Sequence, residues 1–193
     1  MPPTHKITRD FYARGTLTVA RELIGMQLVR AEKGTIRRGR IVETEAYKGP
    51  RDLAAHSSRG RTLRTEVMFG PPGYAYVYFI YGFWYCLNIV TATEGVPHAV
   101  LVRALEPVSG IDDKTRGPGL LCRAMHIDKH LNGADLCGSA LWLERPAAPA
   151  RPPRIARSER IGVEYAGEWA RRPWRFYDRD SRYVSGPARL RQL

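Results

Sequence analysis

Between Gly73 and Val90 the chain reads Gly-Tyr-Ala-Tyr-Val-Tyr-Phe-Ile-Tyr-Gly-Phe-Trp-Tyr-Cys-Leu-Asn-Ile-Val, and five of its ten tyrosines fall within residues 74–85. Aromatic and β-branched residues suit the pleated, half-buried surface of a strand, and Gly82 interrupts the run near its middle. The pattern predicts two antiparallel strands, over residues 74–80 and 84–91, joined by a tight turn at Tyr81-Gly82-Phe83. Turns are normally built from small polar residues, and this one presents Tyr81 and Phe83. A large aromatic at such a tip is either covered by the rest of the chain or inserted into a partner. A plain core hairpin is the first reading of any aromatic-rich strand pair.

The charge distribution carries the argument past that reading. The chain has 193 residues and a net charge of +12. Residues 71–110 contain one Arg and two Glu, residues 31–70 nine basic and five acidic residues, and residues 151–193 eleven Arg and five acidic residues. A GC-rich genome explains arginine in place of lysine, but not bases in excess of acids. A nearly neutral aromatic centre flanked by basic arms is the footprint of a polyanion surface, nucleic acid above all.

Length and cysteine usage bound the rest. One core and one domain spanning residues 1–193 are expected, with residues 1–10 and 186–193 outside the packed part. No apolar run reaches membrane-spanning length, since the aromatic stretch is broken by Gly82 and ends at Thr91. The residues after Met1 include no apolar segment of the secretory kind. Cys86, Cys122 and Cys137 form no CxxC pair and suit reduced, structural thiols. These features predict a cytoplasmic, nucleoid-associated protein in a prokaryote or a nuclear one in a eukaryote.

Read in order, residues 16–25 predict a short helix with Thr16 at its start and Gly25 after its end. Strands are expected at 26–30 and 38–47, giving a hairpin. Period-two alternation along the second places Ile41, Glu43, Glu45 and Tyr47 on one face, which is no ordinary solvent face. Residues 51–56 predict a helical turn and 57–64 a polar, basic loop. A buried strand is expected at 98–105, and its lone Arg103 needs a carboxylate or an anion. A helix is expected from Gly117-Pro118 to about 130, with Leu120, Leu121, Ala124 and Met125 buried. Further strands are expected at 141–144, 155–157 and 161–163. Residues 145–154 are linker-like but short enough for a surface loop. Strands and helices do not alternate regularly, so the fold class is α+β with a mostly antiparallel sheet.

The candidates for chemistry are few. Glu43 and Glu45, two apart on a strand, place their carboxyls about 7 Å apart, a spacing that raises one carboxyl toward a general base. Structural pairing with Arg38, Arg40 or Arg103 is the competing reading, and spacing alone does not choose between the glutamates. His56 lies in a polar loop. His126 and His130, four apart on the expected helix, have no third ligand at matching spacing, so no metal is expected. Lys48, beside Tyr47, is the candidate for a lyase-type Schiff base, without any sign of a desolvated pocket.

Several long, ordered motifs then fit together: residues 40–50 (Arg-Ile-Val-Glu-Thr-Glu-Ala-Tyr-Lys-Gly-Pro), Asp52 to His56-Ser57, residues 76–82, residues 101–107 and residues 166–170. Together they resemble the alkyladenine (3-methyladenine) DNA glycosylase family over nearly the whole chain, from about residue 11 to 184. The resemblance implies a monofunctional glycosylase of base excision repair. Such an enzyme flips a damaged purine out of duplex DNA and hydrolyses its N-glycosidic bond, without a cofactor, as a monomer. It further implies a curved antiparallel sheet with a protruding hairpin that enters the minor groove. By motif, Tyr81 is the intercalating wedge, Glu45 the base that activates water, and Arg103 with the backbone carbonyl of Ile161 the water's holders. Tyr47, His56 and Tyr78 line the base pocket, and Asn88 is placed to clash with the 2-amino group of guanine. Three places depart from the family pattern: a short segment between Pro107 and Gly117, Phe83-Trp84 beside the wedge, and Leu120 where some members carry lysine. They leave the lesion range open. The alternatives are a non-catalytic binder of modified or unstacked bases, and, more distantly, a nucleoside-directed hydrolase or transferase.

Overall fold

The computed structural model describes residues 4–146 and 151–186. Among these, strands β1 (Thr4–Lys6), β2 (Gln27–Glu32), β3 (Thr35–Lys48), β4 (Ala75–Ile80), β5 (Trp84–Thr91), β6 (His98–Ser109), β7 (Leu141–Pro146), β8 (Ile155–Ser158) and β9 (Arg175–Asp178) are joined with three short helices, α1 (Arg9–Tyr12), α2 (Thr16–Glu22) and α3 (Pro118–Ala124). The strands make one sheet in the order β1-β7-β2-β3-β6-β5-β4, with β9 also on β3 and β8 outside it. All described strand pairings are antiparallel. The α+β expectation is met. The aromatic hairpin lies where expected, except that Tyr74 makes an isolated bridge to Asp135 instead of joining β4. The amino-terminal segment is in an element from Thr4 onward, paired with β7. The linker-like 145–154 falls partly at the end of β7 and partly, at 147–150, outside the described residues.

The organising strand is β3. One edge pairs with β6 along residues 38–48; the other is shared by β2, along 35–40, and β9, along 43–45. Simple alternation fails inside it. Ile41 pairs with Leu105 and Glu43 with Ala104, so Val42 is an extra residue and a β-bulge. Ile41 therefore joins the main core with Leu23 and Leu28, whereas Val42 packs with Ala104 and Tyr183. Ile41 does not share the face of Glu43, Glu45 and Tyr47, contrary to the period-two reading. One step on, Glu43 pairs with Ala104 and Thr44 with Val102, which leaves Arg103 as the extra residue of β6. Bulges on facing strands re-aim side chains, and here they turn Arg103 toward the two glutamates.

The main core lies on the α2 side of the sheet. Tyr12, Val19, Ala20 and Leu23 pack on Leu28, Ile41, Val100, Val102 and Leu105. Each such aliphatic side chain contributes about 1.5–3 kcal/mol on burial. The Thr44 hydroxyl donates to the carbonyl of Ala20, tying α2 to β3. Thr16 is not the cap of α2: Gly15 stands there, and the Thr16 hydroxyl bonds His98 and Thr91 instead.

Further expectations are corrected. α3 ends at Ala124, and His126 takes a φ of 52°, which no helix continues. His126 and His130 are thus not one helical turn apart. Leu120 and Ala124 are only half-buried; Leu121, Cys122 and Met125 carry the buried face. Residues 161–163 form a bend around Gly162, at φ 75°, rather than a strand. The helical turn expected at 51–56 begins later, as a 3₁₀ turn at His56–Arg59.

Candidate active site

A cleft of about 550 Å³ opens between the β4–β5 hairpin, β3, β6 and the bend at 161–163, and Tyr47, His56, Tyr78, Asn88, Arg103 and Ile161 all line it. The sheet explains the convergence. Alternation along β4 puts Tyr76 and Tyr78 on the cleft side, and Asn88 sits opposite Tyr76 on β5. The Tyr76 and Tyr78 rings stand 5.5 Å apart, and the His56 ring meets Tyr78 edge-on at 4.5 Å. His56 Nδ1 lies 2.9 Å from the Tyr76 hydroxyl, and the Asn88 amide donates to the Tyr76 carbonyl. The walls are therefore flat, aromatic and mutually braced.

Burial pushes His56 down from 6.5 to about 4, and the nearby Arg64 and Arg59 add to it. The imidazole is neutral at pH 7. Burial also raises Tyr47 and Tyr78 well above the ordinary phenol value, so both hydroxyls keep their protons. Arg160 lies over the Tyr47 ring at 4.7 Å and Arg64 over Tyr78 at 5.3 Å.

Glu45 is fully buried immediately behind this wall. The Tyr47 hydroxyl donates to its Oε2 at 2.8 Å, Arg103 Nη1 to the same oxygen at 3.2 Å, and the Ile161 N–H to Oε1 at 2.8 Å. All three donors belong to residues that line the cleft. A carboxylate has about four acceptor positions, and the one left is on Oε1, beside Ile161. Glu43, one pleat away, is turned from the cleft and takes Arg175 Nε at 2.6 Å and the Ser185 N–H at 2.6 Å. The two carboxylates are thus chemically distinct: Glu45 is held by three cleft residues, whereas Glu43 is held by Arg175 and the Ser185 N–H and meets the cleft lining through Arg103 Nε at 3.3 Å. Burial lowers the proton affinity of Arg103, but Glu45 and Glu43 outweigh it and hold the guanidinium above its ordinary value.

The hairpin tip projects from the same cleft. Tyr81 lines its rim and is 79% exposed, with Phe83 at 67%. Tyr81 and Gly82 have φ of 55° and 76°, the left-handed pair of a tight primed turn. Glycine adopts this freely, whereas for tyrosine it costs about 1–2 kcal/mol. A strained, exposed aromatic is the opposite of what folding alone selects.

The family model described as methylpurine-DNA glycosylase matches residues 10–182. The chain belongs to the methylpurine-DNA glycosylase family. A provisionally named 3-methyladenine DNA glycosylase of Legionella pneumophila (strain Corby) is 53% identical over 180 residues, covering 93% of this chain and 98% of the relative. One of Anaeromyxobacter dehalogenans (strain 2CP-C), named in the same way, is 54% identical over 184 residues, 95% of this chain and 88% of the relative. A third, of Myxococcus xanthus, is 53% identical over 184 residues, covering 94% of each. As a member of this family the chain is a DNA repair enzyme, a hydrolase acting on N-glycosyl bonds. No described helix is long and apolar enough to cross a membrane.

Within the glycosylase, Tyr47, His56, Tyr78, Tyr81, Asn88, Arg103 and Ile161 line one cleft, Glu45 lies buried behind it, and the structure adds other residues. Tyr76 is a cleft wall, legible in hindsight from the alternation that singled out Tyr78. Asp52 and Arg160 form a fully buried pair behind Tyr47, with Oδ2–Nη1 at 2.6 Å. No sequence signal announced Arg160, because its partner is 108 residues away. Ile161 enters through its N–H, a different group from the carbonyl expected by motif. Leu120, expected in the core, lines the cleft. Lys48 Nζ sits 5.6 Å from the Trp174 ring centre, and Lys48 is not among the lining residues. His126 pairs with Glu32 at 3.1 Å, and the described residues contain no cluster of metal-ligating side chains.

Proposed function

We propose that this glycosylase flips alkylated or deaminated purines out of duplex DNA into the aromatic cleft and hydrolyses the N-glycosidic bond with water activated by Glu45. The observation that carries the reading is a fully buried carboxylate held by three cleft residues with one acceptor position left. A water there, beside Ile161 and Arg103, gives its proton to Glu45 as its oxygen attacks C1′ of the sugar. The bond to the purine nitrogen breaks, and its electron pair leaves with the base. Alkylation at N3 or N7 makes the purine a cation, so it departs neutral and needs little acid help. The developing oxocarbenium charge at the sugar is stabilised by the same carboxylate.

Tyr47, His56 and Tyr78 would hold the flipped base. An aromatic face favours a cation by about 0.5–2 kcal/mol, and the neutral His56 places no opposing charge among them. Asn88, anchored on the Tyr76 carbonyl, would clash with the 2-amino group of normal guanine. Tyr81 would fill the gap left in the duplex, which gives its strain and exposure a purpose. One chain supplies every group, so a monomer suffices. A binder of modified bases would use the same walls but has no need of Glu45.

The test is single-turnover base release from duplexes carrying one 1,N6-ethenoadenine, hypoxanthine or 7-methylguanine. Release from at least one, with none from undamaged duplex, is expected. Tight binding with no release from any of several such lesions would return the protein to the binder class. Tyr81→Ala is expected to weaken binding to a lesion duplex by the loss of about 1–3 kcal/mol of stacking, roughly 5–150-fold. Binding to the same lesion in a single strand should change little. Equal losses on the two substrates would remove the wedge role.

A further inference from the structure

Glu43 and Ser185 line no part of the cleft, yet both converge on Arg103. Glu43 Oε1 lies 3.3 Å from Arg103 Nε, and the Ser185 hydroxyl accepts from Arg103 Nε at 3.4 Å and Nη2 at 3.3 Å. That leaves Nη1 to reach Glu45. The Glu43 oxygens are held in turn: Oε1 accepts from Arg175 Nε, and Oε2 from the Ser185 backbone N–H. Arg175 also donates to the Ser158 hydroxyl and the Ser185 carbonyl. Four charges thus alternate, Glu45, Arg103, Glu43 and Arg175, three of them wholly buried and Arg103 at 8% exposure. Ser185 lies at the far end of the described chain, and its contacts tie that end to the site.

We propose that Glu43 and Ser185 are positioning residues that aim the Arg103 guanidinium at Glu45, the first by its charge and the second by its hydroxyl. The proposal rests on the glycosylase reading above. A buried arginine flanked by one carboxylate would collapse onto it as a closed pair. A second carboxylate and a hydroxyl on its other side hold it in a shared position, so that Glu45 is neutralised only in part and remains a competent base. The charged or titratable groups around Glu45 are Tyr47 on β3, Tyr78 on β4, Cys86 on β5, Arg103 on β6 and the Asp52-paired Arg160. Only the Glu43 charge is delivered to Glu45 through Arg103.

The experiment is the pH dependence of single-turnover base release for wild type, Glu43→Gln and Ser185→Ala, with lesion-duplex affinity and thermal melting beside it. Removing the Glu43 charge should move the acidic limb of the profile to lower pH, through the loss of a like charge on the other side of Arg103. The plateau rate should fall about tenfold as the base weakens. Glu43→Asp should restore the limb. Ser185→Ala changes no charge, so it should lower the plateau without moving the limb. Affinity for lesion duplex should hold in all three. Variants that melt earlier but keep the wild-type plateau and limb would reduce both residues to structural roles and overturn the proposal. If Glu43→Gln does not fold, an unchanged rate in Ser185→Ala overturns it alone. No release by wild type would strike the glycosylase reading instead.

Discussion

Glu45→Gln should release a damaged base at least about 10³-fold more slowly than wild type in single turnover, while binding the lesion duplex with nearly the same affinity. The substitution keeps the shape of the side chain and removes its basicity. An amide offers one acceptor oxygen, so it satisfies only part of the set formed by the Tyr47 hydroxyl, Arg103 Nη1 and the Ile161 N–H. Arg103 retains Glu43 and Ser185, so the fold should survive. On the proposed reading affinity comes from the aromatic walls and from phosphate contacts of the basic surface, and the substitution alters neither. A mutant within tenfold of wild type would mean that another group activates the water.

The second large effect is on stability. Asp52→Asn should lower the melting temperature by about 6–20 °C. That is the range expected when breaking a buried pair costs about 3–5 kcal/mol and each kcal/mol shifts a domain of this size by about 2–4 °C. Asp52 and Arg160 are both fully buried at the side chain, and Asp52 takes both guanidinium nitrogens at 2.6 and 2.9 Å. Asp52 also accepts from the Lys48 and Ala54 backbone N–H groups, fixing the chain as it leaves β3. With asparagine there, Arg160 keeps one amide oxygen and the Ala46 and Trp169 carbonyls but loses its neutralising charge, and its Nε already lacks a partner. Base release should suffer too, because Arg160 backs Tyr47 and precedes Ile161. Differential scanning calorimetry decides it, and a change under 2 °C would mean that solvent reaches the pair.

Much of this was legible in the sequence, and what was not has a physical cause. The hairpin was read from its aromatic and β-branched run because local pattern and tertiary role agree there. That Arg103 needs a carboxylate or an anion is legible because a lone cation in an apolar strand has no cheaper state. Which carboxylate was not legible, since the two bulges that aim the side chains leave no composition signal. Ile41 was assigned to the wrong face for the same reason. The overlong helix at 118–130 and the strand at 161–163 failed where a positive φ, at His126 and Gly162, overrode the local pattern. Arg160 and Arg175 fall within the basic arm at 151–193, which the charge distribution assigns to a polyanion surface. Their roles depend on partners more than a hundred residues away. The motif resemblance supplied the choice of Glu45 over Glu43, which spacing could not.

The two ends of the site differ in how firmly the chain holds them. β3, which carries the carboxylates and Tyr47, is hydrogen-bonded along both edges by β6, β2 and β9. Amides of strands bonded on both edges belong to the high-stability end of a fold. Tyr81 rides on the turn leaving β4, the outermost strand of the sheet's far side. The Tyr81 ring stands in solvent, whereas both carboxylates are fully buried. The exposed aromatic and the buried carboxylates are thereby placed on segments of different connectivity within a single sheet.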